Sequence, residues 1–328
     1  MDRRRAGSPD ISYIMAAHDA APWVEAAIAS ALAQRDVSVE VVVVDDSSQD
    51  DTLVRVQALA ARDSRVRVTA LATNRGPAAA RNVALREARG AWIGVLDADD
   101  LLAPERSRCL LNLAEEIGCV LVADDALRFL DQTPDVTWPL LGLLPGTAPI
   151  EVGIAEYLMR NRLTGGDANL GFLKPLIKAD FLARHGLRYD EHLRIGEDFD
   201  LCLRCLAAGA ALTILPQALY RYRVVDGSLS RRLKASDLHA LQKAYTTLTF
   251  PRRPSPDLAQ ADAAYRGSLD DLLTWTEIRE LLGRREWARG AALLARGGAF
   301  GAVARTLPAA LTRRLGARTS MRAKQAPS

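Results

Sequence analysis

The chain has 328 residues, of which 49% are hydrophobic and 25% are charged, and its formal net charge at pH 7 is +3. These values are ordinary for a globular protein and exclude disordered, collagen-like and disulfide-rich chains. The length predicts one large domain with an appendage. No apolar stretch reaches the ~20 residues that a membrane-spanning helix needs, and residues 1–9 are charged and unlike a secretory signal. We therefore expect a cytoplasmic protein.

The first hundred residues alternate between predicted strands and predicted helices. Alternation of this kind predicts an α/β fold whose central sheet is mostly parallel, with helices on both faces. Ser48 and Asp51 are predicted to form a capping box at the second helix. The strands are predicted at 11–15, 39–44, 66–70 and 92–96, and the helices at 22–33, 49–61 and 76–89.

The rest of the chain predicts a helix at 104–117, a strand at 119–123 and a long irregular insertion at 131–149. A second α/β stretch follows at 166–223, with a helix at 198–208 that carries Cys202 and Cys205. We expect these two cysteines to pack in the core, in a reducing compartment. Helices are predicted from 257 to about 315. The predicted organisation is a basic tail at 1–9, an α/β domain at 10–230, a helix at 231–249, a linker at 250–256 and a helical basic region at 257–328.

Acidic residues form three clusters, and the first two directly follow apolar runs that read as buried strands. The clusters are Asp45–Asp46, Asp97–Asp100 and Glu197–Asp198. Carboxylates are costly to hold close together unless a cation or a proton transfer makes use of them. In open α/β sheets, ligands bind beyond the carboxyl ends of the strands. The clusters therefore predict a site for a metal-bound nucleotide, with a third carboxylate available for chemistry.

Each cluster also has a simpler interpretation, and both stay open. Asp97 and Asp99 offer hard oxygen donors for Mg²⁺ or Mn²⁺, or they bond backbone amides of their own loop. Asp45 and Asp46 accept hydrogen bonds from uracil N3–H or ribose hydroxyls, or they begin a turn. The cluster at 197–198 supplies a general base, or it merely suits the positive end of a helix dipole.

The segment 74–82 predicts a helix that begins with small residues and carries Arg75 and Arg81. Backbone N–H groups at such a helix start, together with these arginines, can face a diphosphate. The alternative is an ordinary helix start with surface arginines.

In this order the motifs resemble family 2 glycosyltransferases with the GT-A fold, and among them the bacterial exopolysaccharide enzymes of the succinoglycan type. The resemblance covers about 10–230. It is carried by the segments 11–19, 43–48, 74–82, 96–100 and 196–198, with a narrower likeness at 170–176 and 186–190.

The resemblance implies an inverting transfer of one sugar from a nucleoside diphosphate sugar, with UDP as the expected nucleotide. It implies that Asp198 is the base, that Glu197 lies near acceptor hydroxyls, and that Asp99 with Asp97 holds Mn²⁺ or Mg²⁺. The residues implied to bind the nucleotide sugar are Ala17, His18, Asp19, Asp45, Asp46, Arg75, Arg81, Asp97, Ala98 and Arg223.

Two departures from the family pattern matter. Many relatives carry a histidine that reaches the metal or the diphosphate, whereas this chain has Arg223 at the corresponding position. We expect direct phosphate contact by Arg223 in place of metal ligation. The chain also lacks the Q-x-x-R-W motif and the membrane helices of processive enzymes, which favours addition of a single sugar.

The C-terminal region interleaves apolar residues with arginines, and no acidic residue follows Glu286. This composition suits an amphipathic segment on an anionic membrane surface, at the inner face of the plasma membrane. The alternative is a helical appendage packed on the catalytic domain. Relatives extend glycans on a polyprenyl diphosphate, so a lipid-linked acceptor is expected. The apolar residues are Trp287, Leu293, Leu294, Phe300, Leu307 and Leu311.

Two other functions compete with this interpretation. A sugar-1-phosphate nucleotidyltransferase also pairs carboxylates with Mg²⁺ on an α/β sheet, but it needs a glycine-rich basic loop near the N-terminus, where this chain has residues 18–22, His-Asp-Ala-Ala-Pro. A non-catalytic protein could bind polyanions or glycans through the basic tail. The tail contains no recognised nucleic-acid motif, so we expect no nucleic-acid partner.

Overall fold

The structure is a computed structural model that describes residues 7–164, 169–225, 233–250, 254–295 and 301. Its contacts divide the chain into two compact units. The first comprises Met1–Ile154 with Leu170–Arg231, and the second comprises Ala155–Asn169 with Arg232–Ser328.

The first unit is built on one sheet whose strand order is β3-β2-β1-β4-β9-β6-β10-β5, with β7 paired to β6 and β8 paired to β10. The strands are β1 (Ile11–Ala17), β2 (Val39–Asp45), β3 (Val66–Ala70), β4 (Trp92–Val95), β5 (Leu101–Leu102), β6 (Leu121–Leu130), β7 (Thr133–Pro139), β8 (Ile150–Val152), β9 (Leu176–Lys178) and β10 (Leu212–Val224).

Six of these strands run in one direction. β1, β2, β3 and β4 pair in parallel, and so do β6 and β10. β9 is antiparallel to both β4 and β6, so β6 keeps the direction of β4. The predicted mixed α/β fold with a mostly parallel sheet is confirmed.

Helices alternate with the strands along the first unit and connect the parallel ones. They are α1 (Val24–Leu32), α2 (Thr52–Ala60), α3 (Pro77–Glu87), α4 (Arg106–Ile117), a 3-10 helix (Leu170–Phe172), α6 (Ala179–His185) and α7 (Glu197–Ala207). The second unit contains α8 (Ala235–Thr246), α9 (Pro256–Gly283) and α10 (Trp287–Leu294), and α5 (Ile154–Arg160) begins at its boundary.

Strand β2 shows why the sheet interior could be predicted. Val41, Val42, Val43 and Val44 are each 0% exposed, so the strand is covered on both faces and needs no polar residue in alternation. It lies between β1 and β3. A run of β-branched residues with no polar interruption is typical of such a central position.

Two local predictions were wrong. The segment 131–149 is not wholly irregular, because β7 pairs antiparallel with β6, which itself extends to Leu130. β-branched and aromatic residues of β7 favour a strand, and Pro139 lies at its end. The predicted capping box of α2 is absent: Asp51 occupies the N-cap without a side-chain cap. Ser48 Oγ instead accepts a hydrogen bond from the backbone N–H of Asp19.

The long helix α9 of the second unit begins at Pro256, close to the predicted start at 257. Proline is favoured in the first turn of a helix. Ser255 is the N-cap of α9, and its Oγ accepts a hydrogen bond from the Leu258 backbone N–H at 3.2 Å. Tyr245 of α8 and Tyr265 of α9 pack with ring centroids 4.8 Å apart. Within the described ranges, no helix combines the length and the apolarity needed to cross a membrane.

Several predicted features lie outside the described residues. They are the basic tail at 1–6, the centre of the linker at 251–253, and most of the amphipathic tail, including Phe300, Leu307 and Leu311.

Candidate functional site

The first two acidic clusters lie at one edge of the sheet. β2 ends at Asp45 and β4 ends at Val95, just before Asp97, and both strands pair in parallel with β1. Their carboxyl ends therefore point to the same side. The third cluster opens α7, whose N-cap is Gly196 with a φ of 81°. Glycine tolerates this left-handed conformation, which lets the chain turn sharply into the helix.

Two cations join the second and third clusters into one network. Arg81 Nη2 lies 2.5 Å from Asp97 Oδ1, and Arg81 Nη1 lies 2.5 Å from Glu197 Oε1. Lys174 Nζ lies 2.8 Å from Asp97 Oδ2 and 2.5 Å from Asp198 Oδ2. Carboxylates that are far apart in sequence thus share the same two basic side chains.

The network is buried, and its opposite charges favour the ionised forms of Asp97 and Lys174. The side chains of Arg81 and Lys174 are only 5% and 7% exposed. Burial opposes ionisation of Asp97, but Lys174 and Arg81 outweigh it and hold the pKa of this carboxyl well below its usual range. For Lys174, burial acts to lower the pKa, but Asp198 and Asp97 together raise it well above the usual value. Because breaking a buried pair leaves an uncompensated charge, each member depends on the others.

Asp198 keeps one oxygen free for a further contact. Its Oδ2 accepts a hydrogen bond from Lys174, whereas its buried Oδ1 has no hydrogen-bond partner among the described residues. Arg81 Nη1 is 3.5 Å from that atom, which is an ion-pair distance. Burial raises the pKa of Glu197, although Arg81 acts in the opposite direction. A hydroxyl that reaches Oδ1 would complete the polar contacts of Asp198.

The loop after β4 is tied to strand β10 through Asp100. Tyr220 donates its hydroxyl proton to Asp100 Oδ2 at 2.7 Å, and the backbone N–H of Arg223 donates to Asp100 Oδ1 at 2.7 Å. Arg223 Nε donates to the backbone carbonyl of Asp99 at 2.5 Å, and its Nη1 lies 2.8 Å from Asp131. Arg223 therefore lies beside the loop, and its phosphate contact stays a prediction.

Asp99 is the carboxylate of this loop that suits a cation best. Burial and the neighbouring Asp97 raise the pKa of Asp99 to about 6, and no described side chain donates a hydrogen bond to its carboxylate. Both oxygens of Asp97, in contrast, are paired with Arg81 and Lys174. The described residues contain no group of three or more His, Cys, Asp or Glu side chains that could hold a metal by themselves. A cation at Asp99 would need further ligands from a phosphate and from water.

The first cluster holds the neighbouring loops together. Asp46 accepts hydrogen bonds from the backbone N–H groups of Arg75 at 2.7 Å and Gly76 at 2.8 Å. Its own N–H donates to the carbonyl of Ala17. Asp45 Oδ2 accepts from the Ser48 N–H, and its buried Oδ1 has no hydrogen-bond partner in the described part of the chain. Asp45 thus retains an acceptor atom at the strand end.

The remaining predicted residues lie at the surface or between the two regions. His18 and Asp19 follow β1, and their side chains are 41% and 48% exposed. Arg75 is half-exposed and pairs with Glu191 at 2.8 Å. Ala98, within the loop after β4, is 8% exposed. Arg81 is not a surface arginine, so that alternative was wrong for this residue.

Lys174 and Tyr220 are site residues that the sequence analysis missed. Lys174 interrupts an apolar segment directly before Pro175, and an isolated charge in such a segment signals a buried ion pair. Tyr220 contacts Asp100 across 120 positions in the sequence. Residue spacing carries no information about contacts of that separation.

Comparisons with known proteins agree on one family. The model of the family described as "Glycosyl transferase family 2" matches residues 12–168. The chain is 38% identical over 242 residues to the succinoglycan biosynthesis protein ExoO of Rhizobium meliloti (strain 1021), which covers 71% of this chain and 66% of ExoO. It is also 38% identical over 283 residues to ExoU of the same organism, which covers 84% of this chain and 79% of ExoU.

Solved structures share the fold at low sequence identity. The structure of S. aureus TarS 1-349 in complex with UDP-GlcNAc aligns with a TM-score of 0.63 at 20% identity, over 79% of this chain and 72% of that one. The mannosyltransferase PcManGT from Pyrobaculum calidifontis, in complex with GDP-Man and Mn²⁺, aligns with a TM-score of 0.57 at 20% identity, over 96% of this chain and 81% of that one.

Proposed function

Because this chain belongs to glycosyltransferase family 2 and is a glycosyltransferase with the GT-A fold, we propose that it moves one sugar, with inversion, from a UDP-sugar to a hydroxyl of a growing exopolysaccharide or cell-surface glycan. The two succinoglycan biosynthesis proteins among its relatives support the exopolysaccharide assignment. TarS bound to UDP-GlcNAc supports a nucleotide-sugar donor.

One observation carries this proposal: Lys174 bridges Asp97 of the strand-end loop and Asp198 of α7. A transferase needs a proton acceptor held close to the place where the donor reacts. The bridge supports such an arrangement, because it fixes a carboxylate with a free oxygen beside the loop that carries Asp99.

In the proposed reaction, the acceptor hydroxyl hydrogen-bonds to Asp198 Oδ1. Its oxygen forms a bond to C1 of the donor sugar while the bond from C1 to the diphosphate oxygen breaks. The hydroxyl proton passes to Asp198, and the diphosphate leaves with the bonding electrons. A single displacement of this kind inverts the configuration at C1. Glu197 is held by Arg81, and we assign it to a contact with acceptor hydroxyls.

Asp99 is the proposed ligand of Mn²⁺ or Mg²⁺, since its carboxylate has a raised pKa and no hydrogen-bond donor among the described side chains. A divalent cation held there would supply positive charge to stabilise the departing diphosphate. PcManGT, a structural neighbour, has Mn²⁺ in its complex. We propose that the ion pairs of Asp97 with Arg81 and Lys174 hold the loop that carries Asp99 in position.

We assign the nucleoside to the region that includes Asp45, Asp46 and the residues Ala17–Asp19. Asp45 Oδ1 is a buried acceptor without a described hydrogen-bond partner, which suits a uracil N3–H or a ribose hydroxyl. Asp46 orients the Arg75–Gly76 backbone. Arg75, Arg81, Ala98 and Arg223 remain proposed contacts of the nucleotide sugar.

The acceptor is proposed to be linked to a polyprenyl diphosphate, and the protein to work in the cytoplasm at the inner face of the plasma membrane. The basic character of the C-terminal region supports a peripheral contact there.

The test is UDP binding by calorimetry with and without Mn²⁺, using the wild type and Asp99→Asn. We expect Mn²⁺ to raise UDP affinity by about tenfold or more in the wild type, because the cation neutralises negative charge on both the diphosphate and Asp99. The variant should lose this gain. Asp135→Asn, a change at an exposed carboxylate of β7, is the matched control and should behave as the wild type. If the UDP affinity of the wild type is the same with and without Mn²⁺, the assignment of Asp99 is contradicted.

A further inference from the structure

An exposed aromatic residue lies next to the candidate site without a role in the proposed chemistry. Phe172, at the end of the 3-10 helix, is 38% exposed. Its ring meets that of Tyr222 on β10, with centroids 6.2 Å apart and an interplanar angle of 77°. Such an edge-to-face pair holds two aromatic rings nearly perpendicular to each other.

Phe172 and Tyr222 are each two positions from a residue that contacts the acidic clusters. Phe172 precedes Lys174, whose Nζ is 2.5 Å from Asp198. Tyr222 follows Tyr220, whose hydroxyl is 2.7 Å from Asp100. Burial raises the pKa of Tyr222, and the charge of Asp100 raises it further, which agrees with a phenol close to the strand-end loop.

We propose that Phe172 and Tyr222 form the stacking surface for the acceptor sugar, against which a pyranose ring lays its C–H face while its hydroxyl reaches Asp198. This inference rests on the proposed function and extends it from a catalytic carboxylate to the residues that select the acceptor. The physical basis is that an aromatic face is electron-rich and attracts the slightly positive C–H groups of a sugar.

The position and the lack of charge of the Phe172–Tyr222 surface favour a neutral sugar as its ligand. A nucleoside phosphate would have to place its anionic groups beside the cation, at Asp99, and Phe172 and Tyr222 offer no cationic group of their own. A neutral sugar that approaches the free oxygen of Asp198 meets the segment before Lys174, where Phe172 is exposed. Ligand sites are lined mainly by apolar and aromatic side chains with a few polar groups that orient the ligand, and the contact between Phe172 and Tyr222 supplies such an aromatic lining.

The experiment compares the wild type with Phe172→Leu, Phe172→Trp and Ile117→Ala. Leucine keeps an apolar side chain but removes the ring, whereas tryptophan keeps an aromatic face. Ile117 is a 47% exposed apolar residue of α4 and serves as the control. The ligands are the 4-nitrophenyl α- and β-glycosides of glucose and galactose, with the UDP-sugar that the wild type hydrolyses fastest as donor.

We expect Phe172→Leu to raise the KM for the accepted glycoside about five- to tenfold and to lower the ratio of transfer to donor hydrolysis. Its affinity for UDP should stay within about twofold of the wild type, which excludes misfolding. Phe172→Trp should keep a KM close to that of the wild type, and so should Ile117→Ala. Saturation-transfer NMR should show magnetisation passing to the C–H protons of the glycoside, and less of it in Phe172→Leu.

An unchanged KM in Phe172→Leu would overturn the inference, and so would the absence of saturation transfer to all four glycosides in the wild type. Failure of the proposed function has a different signature. In that case the wild type neither binds UDP nor hydrolyses any UDP-sugar, whatever residue stands at position 172.

Discussion

Arg81 and Lys174 connect carboxylates that the chain delivers from a strand end and a helix start. Neither cation has an exposed side chain, and together they pair with Asp97, Glu197 and Asp198. Buried ion pairs contribute little to stability relative to apolar packing of the same volume. They instead fix the position of Asp198, with one oxygen hydrogen-bonded to Lys174 and the other without a hydrogen-bond partner among the described residues.

Asp198→Asn tests the proposed base. An amide keeps the shape of the side chain but cannot accept a proton, so we expect transfer to fall by about 10²- to 10⁴-fold. UDP affinity should change by less than about threefold. The measurement is initial-rate kinetics with the fastest donor, beside UDP calorimetry. Turnover at the wild-type rate would move the base to Glu197.

Asp99 also predicts a dependence of stability on pH. Its pKa is raised from 3.8 to about 6 in the folded protein, so the folded state disfavours the ionised form. The stability that this group contributes is present below about pH 4 and is lost as the pH rises through 6. Asp99→Asn, which carries no charge, should therefore be more stable than the wild type at pH 7.5, by at most about 3 kcal/mol.

Thermal unfolding of both proteins without added metal, at pH 7.5 and at pH 4, measures this difference. The advantage of Asp99→Asn should shrink at the lower pH. A variant that is equally stable or less stable at pH 7.5 would show that the neighbours of Asp99 already compensate its charge.

Single residues were predictable from the sequence where a local pattern marks them. Asp97 and Asp99 follow a buried strand at a fixed spacing, and Asp198 lies at a helix start. Lys174 was missed because its partners, Asp97 and Asp198, lie 77 and 24 positions away in sequence. Such contacts depend on how the elements pack, which no local pattern describes.

At the scale of elements, the connection from α3 into β4 shows how closely the backbone approaches β1. The N–H of Gly90 donates to Ser12 Oγ at 2.7 Å, and Ser12 Oγ donates to Glu40 Oε1 at 2.6 Å. The N–H of Arg89 donates to the same Glu40 oxygen at 2.7 Å. These bonds fix the start of the strand that leads to Asp97.

Gly90→Ala should destabilise the protein by roughly 2 kcal/mol or more. A Cβ at this position would overlap the backbone N of Ser12 and lie 2.8 Å from its Oγ, and a strand backbone cannot move away cheaply. Gly153→Ala is the matched control, because no atom lies within 4 Å of the new Cβ. Denaturant titration of both variants checks the difference. Equal stability of the two variants would contradict a tight fit at Gly90.

The first four parallel strands, β1 to β4, were predictable because strand-like runs alternate there with helical patterns. β9 was not, since its three residues Leu176–Lys178 run antiparallel between β4 and β6. β7 was missed because prolines and threonines suggested a loop. Strand order is set by packing between distant segments, and a run of three residues carries too little periodicity to predict it.

At the scale of the whole molecule, the contacts group residues differently from their order in the chain. Ala155–Asn169 belongs to the second unit with Arg232–Ser328. In the chain, however, it lies between the two segments of the first unit, Met1–Ile154 and Leu170–Arg231. The predicted division at 10–230, 231–249, 250–256 and 257–328 stays a prediction. Sequence order alone gives no sign that a segment near 155 joins a later helical unit.

The membrane contact is tested with the full chain and one truncated after Arg285. Trp287 is 62% exposed, and the residues beyond it are free of acidic side chains. We expect the full chain to co-sediment with vesicles that contain about a third phosphatidylglycerol, at low salt, and to be released at about 0.5 M NaCl as the charges are screened. Equal sedimentation of the truncated chain would contradict this prediction.

Strand β9 and the 3-10 helix before it have a consequence for how the enzyme can change over evolutionary time. The segment 170–178 carries Phe172, Lys174 and the strand that separates β4 from β6. Asp45 and Asp46 lie on a different part of the sheet. On the proposed roles of these residues, we expect that exchanging only this short segment for that of a relative would change the acceptor preference and leave the donor preference unchanged.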